Sequence, residues 1–281
     1  MVLLQDLDLI DRFLFDEAMD DPEVHQAVLE IIMNDSIQLL SKNEVEKQLQ
    51  TAPYLRAVRL DVFAMDTEDT VYNTEMQKSR KMDLLKRSRF YQSLIDSGLL
   101  PTGIINYNQL KDYCIIMITP YDLFGHGKYQ YSFEPMCREV PGLKLEDGTR
   151  RIFLNTRGKN LEEVSSELVE FLNYVENSTD QVAADSKSVL IKKIHERVQK
   201  IKASEEVGVK FMQAWEEKII EREEGREEGR EEGREEGRSE EKIEKIKKKF
   251  EKTLPPDTIA EHLDEPLEYV DVVCKVVREN P

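Results

Sequence analysis

No stretch of the chain stays apolar for the roughly 18 to 20 residues that a membrane-spanning helix needs, and mean hydropathy is −0.56, which excludes a spanning protein. Cysteine is scarce. Cys114, Cys137 and Cys274 are far apart, odd in number and free of any CxxC, so reduced thiols are expected in place of disulfides or a zinc knuckle. The four histidines (His25, His126, His195, His262) have no mutual spacing that makes a metal site, and no GxxxxGK[ST] is present, which argues against a nucleotide-driven motor. The opening MVLLQDLDLIDRF carries acids where a secretory leader carries bases, so a cytoplasmic protein is expected. What the chain does have is 40% hydrophobic residues over 281 positions, enough for a real core, and 57 acids against 40 bases for a net charge of −17.

That average, unfavourable for a polyanion partner, hides a local patch. Between Lys78 and Arg89 stand Lys78, Arg80, Lys81, Lys86, Arg87 and Arg89 against the single acid Asp83. Such a run is either a solvated helix face or a phosphate-binding surface. The first fifty residues read as helical, with Asp21 before Pro22 as a helix start. From Ala57 the period changes to two, which predicts a strand to Met65, a turn over Asp66–Asp69 and a second strand from Thr70 to Gln77. A helix through the basic stretch to Ile95, broken at Ser97-Gly98, comes next. The apolar run Tyr113–Thr119 predicts a strand buried on both faces, and shorter strands are expected at Tyr129–Phe133 and Arg151–Asn155. Helices resume over Leu161–Val175 and from Ser188 to Ile220.

Residues 222–238 repeat Arg-Glu-Glu-Gly, which in a helix stacks Glu on Glu and Arg on Arg at i,i+4 and adds a glycine every fourth residue. The expectation is a marginal helix acting as a solvated spacer. Beyond it, Ile243–Phe250, Thr258–Leu263 and Leu267–Val277 read as short helices, a pattern shared by helix-turn-helix modules and by any small helical cap.

Folding the hairpin about residues 66–69 sets Asp61 directly opposite Glu75, with Gln77 two residues on and on the same face. Like charges facing each other across a ladder repel, so a pair of this kind calls for a bound hard cation or a shared proton. The amide of Gln77 is expected to hold a water beside that site, while Lys78 points to the other face. A register slip of one residue would change the partner of Asp61 and leave Glu75 and Gln77 together.

The segments Arg59-Leu60-Asp61-Val62, Tyr72-Asn73-Thr74-Glu75-Met76-Gln77 and Arg89-Phe90-Tyr91-Gln92-Ser93, with Tyr113–Thr119, Pro120–Gly125 and the Glu-Gly-Arg repeats, resemble the recombination-promoting nuclease (Rpn) family of transposase-like proteins in the PD-(D/E)XK nuclease superfamily. The resemblance covers roughly residues 6 to 240. It implies an α/β fold, a restriction-endonuclease-like mixed β-sheet core flanked by helices, with a helical C-terminal extension. It also implies a metal-dependent DNA endonuclease, using Mg2+ or Mn2+, that promotes recombination or transposition. Asp61 and Glu75 would be metal ligands, Gln77 would complete the catalytic set where the superfamily usually has lysine, and Lys78, Arg80, Lys81, Lys86, Arg87, Arg89 and Tyr91 would face DNA. An acid of the first helices, among Asp11, Asp16, Glu17 and Glu30, would complete the site. The expected organisation is a nuclease-like domain over 1–176, a helical extension over 177–221, the repeat spacer over 222–241 and a small helical segment over 242–281, in a chain able to form a homodimer. The alternative is a catalytically inactive DNA- or protein-binding module that keeps the fold.

Overall fold

The structure is a computed structural model that describes residues 2–40, 44–45, 48–49, 58–59, 61–81, 83–99 and 106–279. In chain order these form α1 (Arg12–Met19), α2 (Pro22–Met33), β1 (Glu44–Val45), β2 (Gln48–Leu49), β3 (Val58–Arg59), β4 (Val62–Met65), β5 (Val71–Met76), α3 (Leu84–Leu99), β6 (Tyr113–Thr119), β7 (Gln130–Phe133), β8 (Thr149–Asn155), α4 (Ser166–Glu176), α5 (Asp180–Asp185), α6 (Val189–Lys202), α7 (Glu205–Phe250), α8 (Pro256–Leu263) and α9 (Leu267–Glu279). Residues 1–211 make one compact unit and residues 212–281 a second.

The first unit is built on a six-stranded mixed sheet in the order β1-β4-β5-β6-β8-β7. Strands β5, β6 and β8 run parallel at its centre, and β4 and β7 flank them antiparallel. Every residue of β6 is buried, as its uninterrupted apolar sequence predicts for a strand covered on both faces. Odd-numbered residues of the sheet (Phe63, Val71, Tyr113, Ile115, Met117, Phe153) pack against Leu84, Tyr91, Leu94 and Ile95 of α3. On the opposite face Thr74 meets His25 of α2, whose Nε2 lies 3.2 Å from the threonine hydroxyl. Helix α2 begins as expected, with the Asp21 side chain accepting from Glu23 N–H ahead of Pro22.

Several expectations change. The strand predicted from Ala57 is interrupted: β3 pairs with β2 in a separate two-stranded sheet and β4 begins at Val62, while Ala57 and Leu60 lie outside the described residues. Lys78, Arg80 and Lys81 precede α3, which starts only at Leu84 and runs through Gly98, where a Cβ would meet nothing within 4 Å. An exposed glycine costs a helix about 1 kcal/mol, which the buried stripe of Leu84, Tyr91, Leu94 and Ile95 outweighs. The helix expected from Ser188 to Ile220 is two helices. It breaks after Lys202 because Ser204 opens α7, its hydroxyl accepting from Val207 N–H ahead of Glu205 and Glu206.

The repeat, expected as a marginal helix and a solvated spacer, is exposed and helical, since α7 is continuous from Glu205 to Phe250. Flanking sequence explains this. Extension from a formed helix avoids the nucleation cost, and Glu241–Lys245 and Glu244–Lys248 ion pairs at i,i+4 (2.8 and 2.6 Å) support the far end. In the second unit Ile246 is buried with Ile259, Ala260, Val270, Val273 and Cys274, so the last turns of α7 share a small core with α8 and α9.

Candidate active site

The turn that sets the hairpin register is organised by Asp66. One of its carboxylate oxygens accepts from the N–H of Glu68 and Thr70, and the other accepts from the Tyr72 hydroxyl. With the turn so fixed, Val62 faces Thr74 and Phe63 faces Asn73, which carries Asp61 to the level of Glu75 just ahead of β4. The N–H of Asp61 donates to Glu75 Oε1 at 3.1 Å, and Met76 N–H donates to Asp61 Oδ2 at 3.1 Å. Each acid thus holds the other strand's backbone, and both are 3% exposed.

Asn73, two residues before Glu75 and on the same face, donates its Nδ2 to Glu75 Oε1 at 3.2 Å. Sequence reasoning passed over it, although its parity with Glu75 was the available signal. Burial, and after it the charge of Asp61, pushes the Glu75 carboxyl up to about 8. Asp61 is compensated from α1, where the Arg12 guanidinium lies 2.5 Å from Asp61 Oδ1 and its Nε lies 3.5 Å from Asp16 Oδ2.

Among the four acids considered on the first helices, Asp16 therefore shares a cation with Asp61. Asp11 instead caps α1 through Phe13 N–H and lies 3.8 Å from Lys78 Nζ. Glu17 pairs with Lys210, and Glu30 accepts from Gln26 and from Ile37 N–H.

Gln77 is differently employed from the expectation. Its Nε2 donates to the Ser79 carbonyl at 2.8 Å, and its Oε1 accepts from Arg87 Nη2 at 2.7 Å. Arg87 sits over the ring of Tyr91, one helical turn further along α3, at 5.7 Å from the centroid. Tyr91 is 7% exposed and belongs to the core between α3 and the sheet, with its hydroxyl pushed up to about 12 chiefly by burial and next by the charge of Glu75. Of the other bases named above, Lys78, Arg80, Lys81, Lys86 and Arg89 are exposed. Arg87 is half-buried and its charge reaches Glu75, in keeping with its place beside the buried stripe of α3.

Two carboxylates buried side by side offer oxygen ligands suited to a hard divalent cation, with the Arg12 guanidinium now seated where such a cation would meet Asp61. Among the described residues no group of three or more His, Cys, Asp or Glu side chains converges, so protein ligation there would come from Asp61 and Glu75. Mg2+ commonly binds through one or two carboxylates, with water and phosphate oxygens completing the shell, and the pair fits that pattern.

The family model for PD-(D/E)XK nuclease family transposases matches residues 12–232. The chain belongs to that family. No curated protein and no solved structure matches it. The family assignment agrees with the mixed α/β sheet and with a nuclease- or transposase-like role for a PD-(D/E)XK protein. Among the described residues no helix is long and apolar enough to cross a membrane.

Proposed function

We propose that this PD-(D/E)XK protein is a metal-dependent DNA endonuclease that acts in recombination or transposition. The observation that supports this most is the juxtaposition of Asp61 and Glu75: two acids buried side by side at the end of a hairpin, at a cost to folding that a role in binding a cation explains. Asp61 and Glu75 would hold Mg2+ or Mn2+. A divalent cation in such a site polarises a phosphoryl oxygen and lowers the pKa of bound water.

The reaction is hydrolysis of a phosphodiester. Water adds its hydroxyl to phosphorus, the phosphorus–oxygen ester bond breaks, and a proton passes to the leaving oxygen, giving a phosphate monoester and a free hydroxyl. Asn73 and the N–H of Asp61 fix the Glu75 carboxylate, and Met76 N–H fixes that of Asp61, so both acids are oriented before substrate arrives. Lys78, Arg80, Lys81, Lys86 and Arg89, exposed along the connection into α3 and its outer face, offer charge to the DNA backbone.

A second reading, an inactive binding module on the same fold, is favoured by the Arg12–Asp61 pair, which already supplies a cation from within the chain. A supercoiled-plasmid assay separates the two. The nuclease reading predicts nicking or linearisation with Mg2+, none with EDTA, and a loss of at least about 100-fold in Asp61→Ala and Glu75→Ala. Mg2+-independent or undiminished cleavage by those variants, or no cleavage by the unaltered protein with Mg2+ or Mn2+, would overturn it.

A further inference from the structure

The strand position two residues beyond Glu75 carries a neutral amide, and that amide is spent on protein groups at both ends. Its nitrogen is committed to the Ser79 carbonyl and its oxygen to Arg87. Ser79 is itself anchored, since its carbonyl also accepts from the Tyr121 hydroxyl at 3.1 Å. The amide is therefore oriented so that its oxygen, the only end able to accept from a cation, faces α3. Gln77 is a bracket for a guanidinium.

Arg87 is the guanidinium so held. It is gripped at Nη2 by Gln77 and packed over Tyr91, and among the described residues its buried Nε has no hydrogen-bond acceptor. An arginine supported by an amide and an aromatic ring, with N–H groups to spare and no carboxylate fork of its own, is prepared for an anion that presents two acceptor oxygens, as the non-bridging oxygens of a phosphodiester do. Its charge already reaches Glu75, where it acts to favour the ionised carboxylate. Lys86 and Arg89, its neighbours on the same helix, are exposed, whereas Arg87 is half-buried.

We infer that Arg87 contacts the phosphate undergoing reaction beside Asp61 and Glu75, supplying from helix α3 the positive charge that the strand itself lacks at Gln77. This assigns Arg87 a role distinct from the exposed bases, which would track DNA without touching the reacting atoms, and it makes Gln77 a positioning residue. The inference rests on the nuclease reading only for the word reacting; a phosphate contact by Arg87 stands or falls separately.

Two measurements on the full chain test it. DNA affinity in EDTA, taken across a salt series, should show a slope of log K against log salt reduced by about 0.9 in Arg87→Ala and unchanged in Arg87→Lys. Single-turnover cleavage with Mg2+ at saturating duplex should fall by about 100-fold or more in Arg87→Ala, recover in part on adding guanidinium ion, and fall by a smaller factor in Gln77→Ala. Cleavage by Arg87→Ala within threefold of the unaltered protein, or a lost rate that guanidinium does not restore, would overturn the assignment to the reacting phosphate. If the unaltered protein does not cleave, the nuclease reading fails and the salt slope still decides: an unchanged slope in Arg87→Ala would overturn the contact, and a reduced one would uphold it as a phosphate-binding group.

Discussion

At the scale of single residues the site is governed by the cost of burying Glu75. Its carboxyl is raised from an ordinary 4.5 to about 8 by desolvation first and Asp61 second. A group whose folded pKa lies above its unfolded value lends stability that is complete below the unfolded pKa and is lost as pH rises through the folded one. Without metal, stability should therefore decline from about pH 4.5 to about pH 8 on account of this residue. Glu75→Gln keeps an acceptor for Asn73 and for Asp61 N–H and removes the charge. Its melting temperature should exceed that of the unaltered protein by a margin that grows between pH 5 and pH 8.5. Mg2+ should raise the melting temperature of the unaltered protein and not that of the variant. A margin that is flat with pH would mean that Glu75 carries its charge comfortably.

The pairing of Asp61 with Glu75 was legible because a strand has period two and the turn Asp66–Asp69 fixes the register. Arg12 and the inward turn of Arg87 were not, because each depends on where a helix docks. The pattern of α3 places Arg87 beside the buried stripe, yet nothing in a twelve-residue stretch holding six bases says which base faces a carboxylate seen only in the folded sheet.

At the scale of elements, the connection from β6 to β7 shows how a short motif shapes a surface beside the sheet. Asp122 accepts from the N–H of Phe124 (3.0 Å), Gly125 (2.9 Å) and Gly127 (2.5 Å) and from the Tyr131 hydroxyl (2.8 Å). Gly125 and Gly127 have φ of +79° and +69°, the left-handed conformation that suits glycine. The loop so tied presents Phe124 to Tyr131, Phe133 and Phe153. Partial desolvation acts to raise the Asp122 pKa, but the backbone and tyrosine hydrogen bonds outweigh it and the pKa is lowered. Asp122→Ala should cost about 1–3 kcal/mol at neutral pH, read as a lower denaturation midpoint. The difference should persist above the ordinary aspartate value of about 4 and shrink as pH falls from there through the lowered value of the folded state. A midpoint unchanged at pH 7 would show that the glycines and the aromatic layer hold the loop unaided. The Pro120–Gly125 motif was visible in the sequence. The bracket it makes was not, because it closes on Tyr131, nine residues away from Asp122.

At the scale of the whole molecule, two units of different character lie along the chain, one built on a sheet and one on helices. The Arg-Glu-Glu-Gly segment of α7 is exposed throughout, so its helicity rests on its flanks and not on burial. At Gly225, Gly229, Gly233 and Gly237 a Cβ would meet nothing within 4 Å. Replacing all four with alanine should favour the local helix by about 1 kcal/mol at each site and slow amide hydrogen exchange across residues 222–238. Unchanged exchange would mean that the segment is held by something other than helix propensity. The repeat taken alone reads as a marginal helix, and Glu205–Glu221 and Ser239–Phe250 on either side, helical in the same element, supply the ends from which it extends.

The proposal that Asp61 and Glu75 are buried together to hold a divalent cation is open to a structural test. A crystal of the protein soaked in Mn2+ and measured for anomalous scattering tests it most directly. One peak is expected within about 2.0–2.6 Å of carboxylate oxygens of both Asp61 and Glu75, with the Arg12 guanidinium displaced from Asp61. Manganese bound only elsewhere, with Arg12 still seated on Asp61, would contradict it.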